Sequence, residues 1–351
     1  MSERRRAGII GASGYTGVEL MRLLAHHPDL ELVYATGDTQ AGVRAASLYP
    51  SVAAAYPDLV FSELELERVA DLDLDVAFLG LPHEASMALV PALVGTVACV
   101  VDLSAAYRLR DATLYPTWYG FAHDQPDHLA AAAFGLPELF RAEIEAANLV
   151  ATPGCHVTAA SLALEPLVRM GLIEHDRIIV DSKTGISGAG RSLKNDSLFG
   201  SANEDLRAYG LLDHRHTPEI EQVISRSLGD DRCSVLFTPH LAPLDRAILA
   251  TCYARPATSD LSTAIVLDAL RSAYDGEPFV VVSDASPSSK ACRGSNTAHL
   301  TARYDERTDT VVAIAAIDNL CKGASGGAVQ AANVALGLPE TAGLQRVGLY
   351  P

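Results

Sequence analysis

The densest group of reactive side chains is His214-Arg215-His216-Thr217-Pro218-Glu219, two imidazoles, a guanidinium and a carboxylate within six residues. Imidazole titrates where proton transfer near neutral pH needs it to. Glu219 follows His216 closely enough to orient one of the rings, as the third group of a nucleophile–base–orienter set. The HxH pair lacks further ligands at zinc-like spacing, so no metal is expected. A matching nucleophile stands in Thr152-Pro153-Gly154-Cys155-His156-Val157-Thr158. Pro153 and Gly154 shape a turn and a helical run follows. A cysteine at a helix N-terminus has its thiolate favoured by the dipole, with a pKa of roughly 3.5–7.5 in such sites. Most single cysteines are buried structural residues, and the local pattern leaves both readings of Cys155 open. The histidine–glutamate cluster supplies the base that a nucleophile requires.

Cationic and glycine-rich segments suit an anionic substrate. Asp102-Leu103-Ser104-Ala105-Ala106-Tyr107-Arg108 follows a strand end, where open α/β sheets bind ligands. Lys183, and Ser187-Gly188-Ala189-Gly190-Arg191 in a long glycine- and serine-rich stretch, offer backbone N–H groups and a guanidinium for phosphate. Any of these cations could equally be a surface charge.

The elements that must hold these groups begin with a dinucleotide signature. Gly11-Ala12-Ser13-Gly14-Tyr15-Thr16-Gly17 lies between an apolar run, Ala7–Ile10, and a helical one, Gly17–His26. Such a turn lets a pyrophosphate meet backbone N–H groups at a helix N-terminus. The spacing is GxxGxxG instead of GxGxxG. The second strand, Glu31–Ala35, ends without the acidic residue that would take the ribose hydroxyls of NAD; Thr36 and Thr39 suit a 2′-phosphate, with Arg44 following, while Asp38 argues the other way. NADP is the favoured cofactor.

Further short apolar runs, Val76–Leu81 and Ala98–Leu103, continue a strand–helix alternation that implies a doubly wound parallel sheet. Residues 105–148 are rich in aromatics and prolines and carry no clear period. Beyond Cys155 the pattern predicts a helix over Thr158–Met170, a strand at Arg177–Asp181, a loop over Ser182–Ser201, and strands at Ser234–Pro239, Ala247–Ala254, Ala298–Tyr304 and Thr310–Ile317. The fold class is therefore α/β: a Rossmann-type doubly wound NADP-binding domain plus an α+β catalytic and dimerisation domain with a mixed sheet. Residues 1–154, completed by a C-terminal helix within about 320–351, form the first, and 155–319 the second.

Composition narrows the class. Apolar residues are 49% and charged ones 20%, the balance of a globular enzyme with a sizeable core. A formal charge of −16 excludes nucleic acid and anionic membranes as partners. The longest uncharged stretch, Ala85–Val101, is short for a membrane span and contains Pro91 and Gly95. The basic N-terminus is followed by Gly8, Gly11, Ser13 and Gly14, which interrupt any signal-like apolar run. Six scattered cysteines, none in a CxxC pair, fit a reducing compartment, and a cytoplasmic location is expected.

Together these residues resemble the N-acetyl-γ-glutamyl-phosphate reductase family of the aspartate-semialdehyde dehydrogenase superfamily. The resemblance runs nearly end to end, through GASGYTG (11–17), LGLPHEAS (79–86), DLSAAYRL (102–109), FGLPEL (134–139), PGC-x-x-T at Cys155, SGAGR (187–191), HRHTPEI (214–220) and AIDNLCKGASGGAVQ (316–330). It implies reduction of an acyl phosphate by NADPH through a Cys155 thioester, giving N-acetylglutamate semialdehyde and phosphate. It further implies an acid/base role for His214, with His216 close behind and Glu219 as orienter. Cofactor contacts would come from Gly11, Ser13, Gly14, Tyr15, Thr16, Gly17, Thr36, Pro82, Gly188 and Asn319, and substrate contacts from Arg108, Lys183 and Arg191. Homodimers or homotetramers built through the second-domain sheet are implied. One departure stands out: the family usually carries an aromatic residue directly after the cysteine, and here it is His156. The rival readings are a reductase of lysine-type biosynthesis acting on a carrier-bound acyl phosphate, an aspartate-semialdehyde dehydrogenase, and a non-catalytic NADP-binding protein.

Overall fold

The structure is a computed structural model and describes residues 4–229 and 232–351. The chain divides into two compact units. One comprises the chain up to Pro116, Gly120–Pro153 and Ala324–Leu344; the other comprises Thr117–Tyr119, Gly154–Gly323 and Gln345–Pro351.

The first unit is built on a six-stranded, wholly parallel sheet: β1 (Arg5–Ile10), β2 (Leu30–Ala35), β3 (Val76–Leu79), β4 (Cys99–Asp102), β5 (Ala133–Phe134) and β6 (Leu149–Ala151). Their order is β2-β1-β3-β4-β6-β5. β3, β4 and β6 are buried along their whole length, which is why they read as unbroken apolar runs. The order reverses between β1 and β3, the position at which doubly wound sheets open a ligand crevice. The aromatic stretch without a period resolves into helices Pro126–Ala131 and Pro137–Glu145 around the two-residue β5.

The C-terminal helix Gly326–Ala335 is tied into this unit by a buried polar knot. The Nδ1 of His27 accepts the backbone N–H groups of Asp29 (3.1 Å) and Leu30 (2.9 Å), so its proton sits on Nε2 and is donated to the Asn333 Oδ1 at 2.9 Å. Asn333 in turn donates to the carbonyls of Glu340 and Ala342. Burial pushes the pKa of His27 down, which keeps the ring in this neutral form.

The second unit carries a seven-stranded mixed sheet: β7 (Ile178–Gly185), β8 (Arg207–Ala208), β9 (Val235–Ala242), β10 (Ile248–Ala254), β11 (Val280–Val282), β12 (Ala298–Asp305) and β13 (Thr310–Ile317), in the order β11-β12-β13-β10-β7-β9-β8. Helices Cys155–Arg169, His216–Ser225 and Thr263–Ala273 belong to the same unit. Two expectations need correction. β7 does not stop at Asp181 but continues through Ser182-Lys183-Thr184-Gly185, because β9 and β10 pair with it on both sides to that point. The helix starts at Cys155, three residues before Thr158, so the cysteine is its first residue. Among the described residues no helix is long and apolar enough to cross a membrane.

Replacing Asn333 by Ala orphans the His27 N–H and two carbonyls in the interior; we expect a loss of about 2–3 kcal/mol, read as a lowered urea midpoint with an unchanged slope.

Candidate active site

Cys155 is the one cysteine of six that is not buried. Burial pushes the thiols of Cys99, Cys233, Cys252 and Cys292 up to about 12, so they are inert near neutral pH. The chain leaves β6 through Thr152 and Pro153, turns at Gly154, which is extended (φ −61°, ψ 147°), and enters the helix at Cys155. The thiol thus lies at the positive end of a 15-residue helix.

The turn is held from the His216 helix. Glu219, fully buried, accepts the Gly154 N–H at 2.9 Å through Oε2 and the Tyr119 hydroxyl at 2.5 Å through Oε1. These hydrogen bonds of the carboxylate fix the residue before Cys155, and its charge also acts on His214, one of the two rings it was expected to orient. His216 packs so closely against the turn that a Cβ at position 154 would lie 2.2 Å from its Nε2. Glycine at 154 is a space requirement. From the other side Gly323 abuts Cys155, a Cβ there falling 2.8 Å from the cysteine Cβ.

His214 and His216 are both present, with ring centroids 4.6 Å apart. The Nδ1 of His214 accepts the backbone N–H of His216 at 3.1 Å and so caps that helix. Burial, then the Arg215 guanidinium, lowers the His214 pKa to about 4, against the pull of Glu219 and Asp213. His214 is neutral near pH 7, with its proton on Nε2. His156 is buried within the same group: its Nδ1 lies 2.7 Å from the Ser182 Oγ, its Nε2 3.1 Å from the Tyr209 hydroxyl, and its ring centroid 5.9, 5.5 and 5.4 Å from those of His214, His216 and Phe237. Burial, reinforced by His214, lowers the His156 pKa to about 3. Tyr209 stands five residues before the HRH run, with its N–H bonded to the Pro239 carbonyl beside β8. That spacing was the one sequence signal for it, and nothing in the sequence marked Tyr119 or Ser182.

Asn319 and Gly188 come together. The Asn319 amide accepts the Ala247 N–H (2.8 Å) and donates to the Ser187 Oγ (3.0 Å), so it holds the glycine-rich turn. Beside it the buried Asp318 accepts from Arg246 and from the N–H groups of Gly294, Leu320 and Cys321. This clamp sets the five-residue π-helical segment Cys321–Ser325, which carries Gly323 to Cys155. Arg191 is exposed.

Lys183 does not join the cysteine cluster. Alternation along β7 sends the buried Ser182 toward His156 and Lys183 to the opposite face of the sheet. There it pairs with Asp181 at 2.9 Å, and Asp181 also meets the His240 Nδ1 at 3.1 Å. The expectation that it binds substrate beside Cys155 rested on reading this stretch as loop, and the strand overturns it.

In the first unit the glycine-rich turn has the shape a dinucleotide needs. Gly11 is left-handed (φ +89°), and a Cβ on it would meet the Gly80 carbonyl at 2.5 Å, at the switch point between β1 and β3. Ser13, Gly14, Tyr15, Thr16 and Gly17 lead into the helix Tyr15–Leu24, whose first N–H groups face outward at the sheet's C-terminal end. Thr36 is buried and accepts the Gly11 N–H at 3.0 Å, so its hydroxyl braces the turn. Pro82 caps the helix His83–Leu93 after β3. Asp38 is left-handed (φ 46°) in a short turn after β2. The residues present fit a nicotinamide dinucleotide. Arg108 donates from Nε to the Thr152 carbonyl (2.7 Å) and from Nη2 to the Leu103 carbonyl (3.0 Å). The loop that carries it is shaped by buried Asp102, which accepts from the hydroxyls of Ser86 and Ser104 and the Ser104 N–H.

Comparison with known proteins assigns the chain. Residues 6–147 match the semialdehyde dehydrogenase NAD binding domain and residues 155–319 the semialdehyde dehydrogenase dimerisation domain. N-acetyl-γ-glutamyl-phosphate reductases of Geobacter sulfurreducens and Heliobacterium modesticaldum are 46% and 43% identical to it, each over 99% of both chains. The chain belongs to the N-acetyl-γ-glutamyl-phosphate reductase family. Its fold is shared by solved aspartate-semialdehyde dehydrogenases at low identity. The Vibrio cholerae enzyme II complexed with ASA matches at TM-score 0.69 and 17% identity over 95% of this chain and 98% of that one. The Candida albicans enzyme with NADP matches at TM-score 0.67 and 16% identity, over the same shares. A nicotinamide cofactor and association through a dimerisation domain follow from the family.

The buried histidines predict an acid response. Between the unfolded value of 6.5 and about 3, the unfolded chain protonates at position 156 while the folded chain does not, so stability falls as pH drops through that window. The urea midpoint should therefore decline from pH 7 to pH 4 more steeply in the wild type than in His156→Phe. Parallel declines would show that His156 takes no part.

Proposed function

We propose that the protein reduces N-acetyl-L-glutamyl 5-phosphate to N-acetyl-L-glutamate 5-semialdehyde and inorganic phosphate with NADPH, through a thioester on Cys155. The observation that carries the reading is the unburied Cys155 at a helix start with His216 against its turn, in a chain whose full-length relatives bear that activity's name.

His216 is the base in this reading. The His214 Nδ1 lone pair is already taken by a backbone N–H, so its outward nitrogen carries a proton and can only donate. That reverses the preference the resemblance suggested. His216 takes the thiol proton, the sulfur attacks the acyl carbon, and the tetrahedral adduct expels phosphate to leave the thioester. The nicotinamide cofactor, when bound, supplies a hydride to the thioester carbon. His214 donates to the oxygen that gains charge there. His216 returns its proton to sulfur as the C–S bond breaks and the aldehyde leaves. Ser13, Gly14, Tyr15, Thr16 and Gly17 would hold the pyrophosphate by backbone N–H groups, and Gly11, whose own N–H goes to Thr36, would supply the tight turn. As the resemblance implies, Gly188 and Asn319 would meet the cofactor, and Arg108 and Arg191 the substrate's anionic groups. NADP is preferred in this reading because β2 ends without an acidic residue and Asp38 lies in a left-handed turn beyond it.

The test is the reverse reaction: the semialdehyde, phosphate and NADP should generate NADPH, faster than with NAD. Cys155→Ala should lower turnover by at least about a thousandfold, and His216→Ala by about 10²–10⁴-fold, more than His214→Ala. Activity confined to a carrier-linked aldehyde would replace this reading with the lysine-type one.

The same reading makes the protein a homodimer or homotetramer whose subunits join through the sheet face that carries Lys183. Ile179 (41% exposed), Leu236 (46%) and Tyr253 (37%) present apolar surface there. The pair Ile179→Asp and Tyr253→Asp should yield monomers by light scattering; an unchanged mass would move the interface elsewhere.

A further inference from the structure

Ser325 has one hydroxyl proton and gives it to the Thr16 carbonyl at 2.8 Å, 309 residues away in sequence. We propose that Ser325 is a positioning residue through which dinucleotide binding at the glycine-rich turn fixes the π-helical segment Cys321–Ser325 against Cys155. The inference rests on the readings of that turn as the cofactor site and of Cys155 as nucleophile, and deepens them.

A serine inside a helix commonly returns its proton to a carbonyl one turn back. Ser325 is helical (φ −63°, ψ −37°) and fully buried, at the join between the π-helical segment and the helix Gly326–Ala335. Its proton instead leaves that helix for Thr16, the second residue of the helix Tyr15–Leu24. Thr16 lies in the stretch that would meet the pyrophosphate, and the turn around it has no slack. A Cβ on Gly17 would fall 2.2 Å from the Ala12 carbonyl oxygen, and one on Gly11 2.5 Å from that of Gly80. An anion drawn to the N–H groups at this helix start acts on a rigid turn, and Ser325 holds one of its carbonyls.

The other end of the segment is fixed as firmly. The Asp318 carboxylate accepts the N–H groups of Leu320 and Cys321 at 2.8 and 2.9 Å. Its carbonyl accepts the Gly323 N–H at 3.0 Å, a bond spanning five residues, as in a π turn. Such turns are rare and gather at functional sites. The residues 321–325 thus run between two clamps, and Gly323 is the middle one. A Cβ there would lie 2.8 Å from the Cys155 Cβ and 3.2 Å from the Ile317 Cδ1, so Gly323 cannot shift without pressing on the nucleophile or its neighbour. The chain passes from the second unit to the first between Gly323 and Ala324. The covalent backbone therefore carries the link, and each clamp lies within its own unit.

The experiment is amide hydrogen exchange of wild type and Ser325→Ala, with and without saturating 2′-phospho-ADP-ribose. This probe is NADP without its nicotinamide, so it fills the turn and leaves the cysteine uncovered. In both proteins it should slow exchange across residues 11–17, which also reports that the variant is folded. In the wild type it should slow exchange of residues 321–325 as well, by about fivefold, the low end of coupling between sites. Ser325→Ala should lose that second effect. In the reverse assay Ser325→Ala should lower kcat about tenfold, with the KM for NADP changed less than about twofold, a split that general loosening of the fold would not give. Protection of 321–325 that persists in Ser325→Ala would overturn the proposal, as would its absence from a wild type whose turn is protected. No protection of residues 11–17 in the wild type would instead sink the cofactor reading beneath it, and turnover surviving in Cys155→Ala the nucleophile reading.

Discussion

Position 154 has no room for a side chain, and much of the candidate site follows from that. The His216 ring occupies the volume a Cβ would take, while the Glu219 carboxylate, one turn further along the same helix, grips the Gly154 N–H. One helix thus delivers both the ring and the anchor. The cysteine after the glycine cannot drift from His216 without breaking a hydrogen bond to a buried carboxylate, and a lost hydrogen bond to such a group is costly. Tyr119 meets the other oxygen, so the carboxylate ties the turn before Cys155 to a second segment of the same unit.

Around this contact the fold repeats one device: a buried polar side chain spent on backbone. Asp318 collects three N–H groups and Arg246, and so sets the segment that brings Gly323 to Cys155. Asn319 ties two loops, Asp102 shapes the Arg108 loop, and Thr36 braces the glycine-rich turn. Two of them, Thr36 and Asn319, are residues that motif reading places at the cofactor, and in the structure each also fixes a turn through a hydrogen bond to backbone or hydroxyl. Preorganisation of this kind keeps reactive groups in place without any of them having to move as charge develops.

The fold class was legible because β3, β4, β10 and β13 are apolar enough to announce themselves, and the glycine-rich turn follows β1 directly. β7 was not. Its last four residues, Ser182-Lys183-Thr184-Gly185, contain nothing apolar, and only pairing with β9 and β10, distant in sequence, makes them a strand. The short β5 and its flanking helices escaped for a related reason, since their pattern is set by tertiary packing. Within the site, Cys155, His214, His216 and Glu219 were legible as a group because they share two short motifs. Tyr119 and Ser182 were not, because each comes from far along the chain and neither residue type draws notice alone. The hydrogen bond of Glu219 to Gly154 was out of reach too: spacing can bring a carboxylate near a histidine, but only the folded backbone reveals the N–H beside it.

β7 divides its residues by parity. Even positions look into the cysteine cluster through Ser182, and odd ones carry Ile179, Asp181 and Lys183 on the other side. The strand is central, so neither neighbour can absorb a shift of one place. Gain or loss of a single codon here would exchange the two populations, setting a lysine against His156 and a serine on the open face. A change of two codons would keep the faces and alter only the strand's reach. Length variation in this segment among related chains should therefore come in pairs, a constraint on the gene that no single side chain explains.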